Sequence, residues 1–177
     1  MRLLTAGHGN LAADDLISLL RDAGVGLVVD VRISPASRHN PQFGRAELEA
    51  ALAAAGIGYR WERRLGGFRT PPDGSPDGAL EEPALRGYAA QMRSPEFGAC
   101  MELLLEDASG PVTAVLCAEA DWRGCHRRMI ADAAALLHKV EVIHVLHDGA
   151  TEAHEPDPAA RVTDRGLVYD GGQAALF

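Results

Sequence analysis

Two thiols, a carboxylate, an imidazole and an arginine crowd into the stretch 112–129, Val-Thr-Ala-Val-Leu-Cys-Ala-Glu-Ala-Asp-Trp-Arg-Gly-Cys-His-Arg-Arg-Met. Cys117, Glu119, Cys125 and His126 are the candidate catalytic residues, because these side-chain types attack electrophiles or move protons near neutral pH. Cys125 falls at the expected start of a helix beside Arg127 and Arg128, and both features favour thiolate over thiol. Cys117, closing a strand, has the weaker claim. Both cysteines read equally as small core residues, Glu119 as a helix cap and His126 as a ring packed on the sheet. Arg32, Ser34 and Arg38, with Ser37, place guanidinium and hydroxyl donors on one loop, which suits a phosphate or carboxylate. Ion pairing to an acidic body explains that loop as well. His8 and Arg127 complete the candidate substrate-binding set.

Two further chemistries fit less well. Cys117 and Arg123 have the Cys-x5-Arg spacing of phosphate-cradling loops, but Glu119 and Asp121 inside the loop would repel the anion. Cys117, Cys125, His126, His8 and Glu119 are all metal-ligand types. The short Cys–Cys and His–His spacings of zinc sites are absent, so no metal and no cofactor are expected.

The elements that must position these residues are legible from hydrophobic pattern. Apolar-rich runs at 3–7, 25–31, 57–61, 112–117 and 140–146 read as strands, with 25–31 continuous enough to be buried on both faces and 112–117 also buried. Between them lie helices: one with the apolar face Leu11, Leu16, Ile17, Leu19 and Leu20 ending at Gly24, then 45–55, 84–92, 95–107 and about 126–138. Alternation of this kind implies an α/β fold, a five-stranded mostly parallel sheet with helices on both faces. The simplest Rossmann-like strand order is 3-2-1-4-5. It puts the switch point between the first and fourth strands, with His8 beside Cys117 and Glu119 and the Arg32 loop one strand away. Residues 32–43 and 69–83 read as irregular loops, 148–158 as a surface loop and 161–169 as a small hairpin. The whole chain, 1–177, reads as one domain, with a core over 2–147 and a C-terminal extension over 148–177.

The formal net charge of −8 excludes a general nucleic-acid coat. It is unevenly spread, since residues 32–69 carry +4 and the remainder −12. Three cysteines argue for free thiols rather than a disulfide framework. No signal segment or membrane-spanning run is apparent, so a cytoplasmic location is expected.

The motifs also carry a resemblance. Thr5-x-Gly-His8, Asp30-Val-Arg32 with Pro35-x-Ser-Arg38 and Phe43, Tyr59, Leu65-Gly-Gly67, Gly87-Tyr88, Phe97, Cys117-Ala-Glu119 and Cys125-His-Arg127 together resemble the bacterial and archaeal family named domain of unknown function 488. The likeness runs from residue 3 to about 147. It implies a single α/β domain whose motif residues gather at one sheet edge, and it supplies no reaction. That family usually has a hydroxyl after the first Gly-His, where this chain has Gly9.

The tail Gln173-Ala-Ala-Leu-Phe177 resembles the Gln-x-x-Leu-Phe peptide that docks on the DNA polymerase sliding clamp. Leu176 and Phe177 would fill a pocket and Gln173 would fix register. They would otherwise fold back on the core. Three functions stay open at this stage. The first is an enzyme acting on a nucleotide, nucleic acid or other anionic ligand at the strand-end site. The others are a non-catalytic DNA-repair accessory module using the sliding clamp, and a thiol-redox protein. No membrane partner is expected.

Overall fold

The structure is a computed structural model and describes residues 1–36 and 38–171. Ser37 and the expected clamp-binding residues Gln173, Leu176 and Phe177 lie outside the described residues.

Strand β1 (Arg2–Gly7) leads through helix α1 (Ala13–Asp22) to β2 (Leu27–Asp30), and α2 (Arg45–Ala54) leads to β3 (Gly58–Trp61). Gly24 takes a left-handed conformation (φ +73°) just past α1, which is the helix stop expected there. An irregular segment follows β3 and runs to α3 (Pro83–Met92) and α4 (Pro95–Ala108). Ser94 caps α4 by accepting the Phe97 N–H at 3.2 Å, with Pro95 in the first turn. Then come β4 (Thr113–Cys117), α5 (Arg127–His138) and β5 (Glu141–Val145). The short strands β6 (Thr151–Ala153), β7 (Ala160–Thr163) and β8 (Gly166–Tyr169) are the last elements among the described residues.

The main sheet has six strands in the order β3-β2-β4-β1-β5-β6, parallel except for β6. This corrects the expected 3-2-1-4-5: β4 enters between β1 and β2 and pairs with both. The pattern could not distinguish the two orders, because β1 and β4 are both apolar and almost wholly buried. Antiparallel β6 stands where a surface loop was expected, and its exposed Thr-Glu-Ala carries no strand periodicity. The expected hairpin is present as the separate β7–β8 pair.

Two cores flank the sheet. Leu16 and Leu20 of α1 and Leu48 and Leu52 of α2 pack on Leu4, Val28, Ala114 and Leu116. Tyr88, Phe97, Met101 and Met129 of α3–α5 pack on Leu3, Val29, Val115 and Cys117 from the other side. Each buried aliphatic side chain contributes about 1.5–3 kcal/mol. Among the described residues no helix is long and apolar enough to cross a membrane.

A buried polar chain ties the C-terminal elements to this frame. Asp132 can only accept, so His154 Nε2–H donates to it at 2.9 Å, leaving His154 Nδ1 to accept from His144 Nε2–H at 3.0 Å. His144 Nδ1 in turn accepts from the Thr5 hydroxyl at 2.7 Å, and the Tyr169 hydroxyl donates to Asp132 at 2.8 Å. Trp122 stacks on His144 at 3.9 Å. His144, one residue from the end of β5, is 1% exposed.

Burial, then the neighbouring His154, Arg127 and Arg123, press the His144 pKa down to about 3. An unfolded histidine binds its proton near 6.5, so this neutral ring stabilises the fold above that pH and loses its contribution as pH falls toward 3. The urea midpoint should therefore decline steadily below pH 6.5, with His144→Leu less stable at neutral pH but less pH-dependent. An unchanged slope in the variant would contradict this role.

Candidate functional site

The carboxyl ends of β1, β2 and β4 meet, with β4 in the middle. Alternation along β4 sorts its side chains: Ala114 and Leu116 face α1 and α2, whereas Val115 and Cys117 face α3–α5. The same rule sends Thr5 to the α5 side and His8 to the α1 side. The strand tips therefore present two different chemistries, one on each face.

The chain leaves β4 as the loop 118–126. The end of β1 passes so close beneath it that a Cβ on Gly7 would lie 1.7 Å from the Glu119 carbonyl oxygen, which admits only glycine. His8 N–H donates to the Cys117 carbonyl at 3.0 Å and Gly9 N–H to that of Ala118 at 2.9 Å. Arg127, 1% exposed, closes the loop from the helix side by donating to the carbonyls of Glu119 and Ala120. It was expected to hold an anion; its guanidinium instead lies behind the loop.

On the α5 face, Cys125 S–H donates to Cys117 Sγ at 3.1 Å. His126 Nδ1 lies 3.9 Å from Cys117 Sγ and 3.7 Å from Cys125 Sγ. The backbone N–H of Arg127 reaches Cys125 Sγ at 3.5 Å, and that of Glu119 bonds Cys117. The bond from Cys125, helped by His126, holds the Cys117 thiol well below the usual thiol range. Giving that bond, together with burial, pushes Cys125 up. Thiolate character thus falls on Cys117, the reverse of the expectation from helix position. Gly67 makes room for the imidazole, since a Cβ there would lie 2.9 Å from His126 Nδ1. The ring of Tyr88 meets His126 edge-on at 5.1 Å.

A cavity of about 420 Å³ opens here, bordered by Cys117, Cys125, His126 and Glu119 on one side and by Leu85, Tyr88 and Phe68 on the other. It lies beyond the carboxyl ends of β2 and β4, bordered by residues that follow both strands.

On the α1 face, Asp30 ends β2 and Arg32 follows two residues later, so both side chains fall on the same side. Arg32 donates through Nε and Nη2 to the Asp30 carboxylate at 2.9 and 2.6 Å, and through Nη1 to the Phe43 carbonyl at 2.9 Å. Asp30 also accepts from the Tyr59 hydroxyl at 2.8 Å, and burial with the Asp30 charge pushes that phenol up. His8 Nδ1–H donates to the Gly9 carbonyl at 2.8 Å, so Nε2 accepts from Arg32 Nη1 at 3.2 Å. Burial, then the Arg32 charge, lowers the His8 pKa. The ring is a neutral acceptor.

A second cleft of about 720 Å³ lies on this side, bordered by His8, Asn10, Asn40 and His147. Arg32, Ser34, Ala118 and Glu119 border both cavities and form a rim that the two share. Of the expected site residues, His8, Arg32, Ser34, Cys117, Glu119, Cys125 and His126 are gathered here. Arg38 is exposed and borders neither cavity. Asp30, Tyr59, Tyr88 and His147 were missing from the candidate set. The Asp-x-Arg spacing on a buried strand was the available signal for the first, whereas His147, donating to the Gly7 carbonyl at 2.7 Å, gave none.

The fold and the crevice define an α/β open-sheet protein with a cavity at its strand ends. A family model, Domain of unknown function DUF488, matches residues 12–134, and the chain belongs to that family. Neither the curated proteins nor the solved structures give a significant match.

Breaking a buried pair by removing one partner costs about 3–5 kcal/mol, because a charge is left uncompensated. Asp30→Asn should lower the unfolding free energy in urea by about that much, against about 1.5–3 kcal/mol for Tyr59→Phe, which removes one hydrogen bond to a charged group. A negligible loss in Asp30→Asn would show that the pair is not the support of this side of the crevice.

Proposed function

We propose that the chain is an enzyme acting on a nucleotide-like ligand that spans both halves of the crevice. A flat, apolar part of the ligand lies against Leu85, Tyr88 and Phe68, and its polar or anionic part reaches Ser34, Asn10 and Asn40, beside His8. The reacting bond then lies over the shared rim, facing Cys117, Cys125, His126 and Glu119. The single observation carrying this reading is that the rim residues Arg32, Ser34, Ala118 and Glu119 border a cavity of mixed apolar and thiol lining on one side and a polar cleft on the other. A ligand that uses both must itself have two chemically different ends.

Arg32 acts chiefly as a support in this arrangement. Asp30 compensates its charge, and its Nη1 orients His8. Arg127 fixes the loop that carries Glu119. Ser34 and Glu119 are exposed and open to a ligand.

Titration calorimetry with nucleoside monophosphates and short single-stranded DNA tests the ligand class. Binding should occur and should weaken about tenfold, or about 1.4 kcal/mol, when Ser34→Ala and Asn40→Ala are combined. Mass spectrometry of the bound nucleotide after incubation tests the chemistry: wild type should yield a product, and Glu119→Gln should bind without yielding it. Absence of binding by all these ligands would overturn the reading, and binding without a product from wild type would overturn the enzyme.

A further inference from the structure

The expected zinc spacings are absent from the sequence, yet the fold assembles a set of ligand atoms that no short motif encodes. Cys117 Sγ, Cys125 Sγ and His126 Nδ1 all lie within 4.8 Å of one another. The group does not include His8 or Glu119. We propose that these three atoms form a binding site for a zinc-class divalent cation, with its remaining coordination position turned to the 420 Å³ cavity.

The geometry carries the proposal. The three atoms form a triangle with edges of 3.1, 3.7 and 3.9 Å. Such a triangle has a point about 2.1 Å from every corner, and zinc bonds imidazole nitrogen at about 2.0–2.1 Å and thiolate sulfur at about 2.3 Å. An ion slightly out of the plane meets both lengths, and tetrahedral geometry at it draws the sulfurs apart from 3.1 Å to about 3.8 Å. As hydrogen bonds, the two nitrogen–sulfur contacts are long. As edges of a coordination polyhedron they are ordinary.

The surroundings match a thiolate pair. Each sulfur accepts a backbone N–H from the residue two places on, Glu119 for Cys117 and Arg127 for Cys125. Bonds of this kind orient first-shell ligands and hold negative charge on sulfur. Arg127 anchors the intervening loop through the Glu119 and Ala120 carbonyls, so both cysteines are held before any ion arrives. Two thiolates and one imidazole favour a soft or borderline cation over magnesium or calcium. Three protein ligands with an open position beside a cavity is the pattern of a catalytic rather than a structural site. On binding, protons on the sulfurs are released to solvent, and two metal–sulfur bonds replace the S–H···S contact.

The proposal rests on the reading of this cavity as the reacting centre, and its test separates the two. The reduced protein, freed of metal by chelation, is titrated with cobalt(II). One equivalent should produce thiolate-to-metal charge-transfer absorption and the intense ligand-field bands of a four-coordinate ion, and zinc should displace it. Cys100→Ala should behave as wild type. Cys117→Ser should lose most of the charge-transfer intensity, and His126→Gln, at a half-buried position, should weaken binding at least tenfold while circular dichroism stays native. Zinc should also protect two thiols from alkylation, with protection reversed by chelator. Absence of charge transfer in wild type, or its survival undiminished in Cys117→Ser, would overturn the site. Nucleotide binding by the metal-free protein reads the ligand class separately: cobalt uptake without it leaves the metal site standing and removes the nucleotide, and the converse removes only the metal site.

Discussion

The crevice depends on a buried cation that has no carboxylate to meet it. Arg127 is 1% exposed, begins α5 at the end where the helix dipole is already positive, and among the described residues donates only to the carbonyls of Glu119 and Ala120. Burying such a charge on neutral acceptors is costly. It is offset by what the loop gains in shape. With its carbonyls drawn down onto Arg127 and the glycine end of β1 pressed beneath it, the segment between Cys117 and Cys125 has little freedom. The thiols, His126 and Glu119 are presented from a fixed loop.

The opposite side of the crevice is built on a different principle. Asp30 and Arg32 neutralise each other in the interior, and Tyr59, Phe43 and His8 take up their remaining hydrogen-bonding capacity. The result is a rigid polar wall in which the guanidinium is already compensated and the imidazole is neutral and buried. Strand alternation explains why the two walls differ. Cys117 and His8 follow adjacent parallel strands in register, Gly7 opposite Cys117, yet they project to opposite faces of the sheet.

Much of this was legible in the sequence, and the failures have physical causes. The central strands β1, β2 and β4 were readable because parallel strands buried on both faces leave nearly unbroken apolar runs. The position of β4 was not, since Thr113-Ala-Val-Leu-Cys117 and Leu3-Leu-Thr-Ala-Gly7 bury equally well in a central slot. The candidate residues still gather at the strand ends because β1 and β4 are neighbours in either order. Arginine type announced donors, but it could not announce that Arg32 and Arg127 already have acceptors inside the protein. The ligand triangle escaped because seven residues separate Cys117 from Cys125, longer than a zinc-binding turn, and only the loop's return over β1 closes the gap.

The central claim is that both halves of the crevice serve one ligand. A crystal structure of the complex with a nucleoside monophosphate tests it most directly. The account requires continuous ligand density from the Leu85–Tyr88 wall, over Ser34 and Ala118, to His8 and Asn40. Density confined to one half, or lodged elsewhere on the surface with the rim unoccupied, would contradict it.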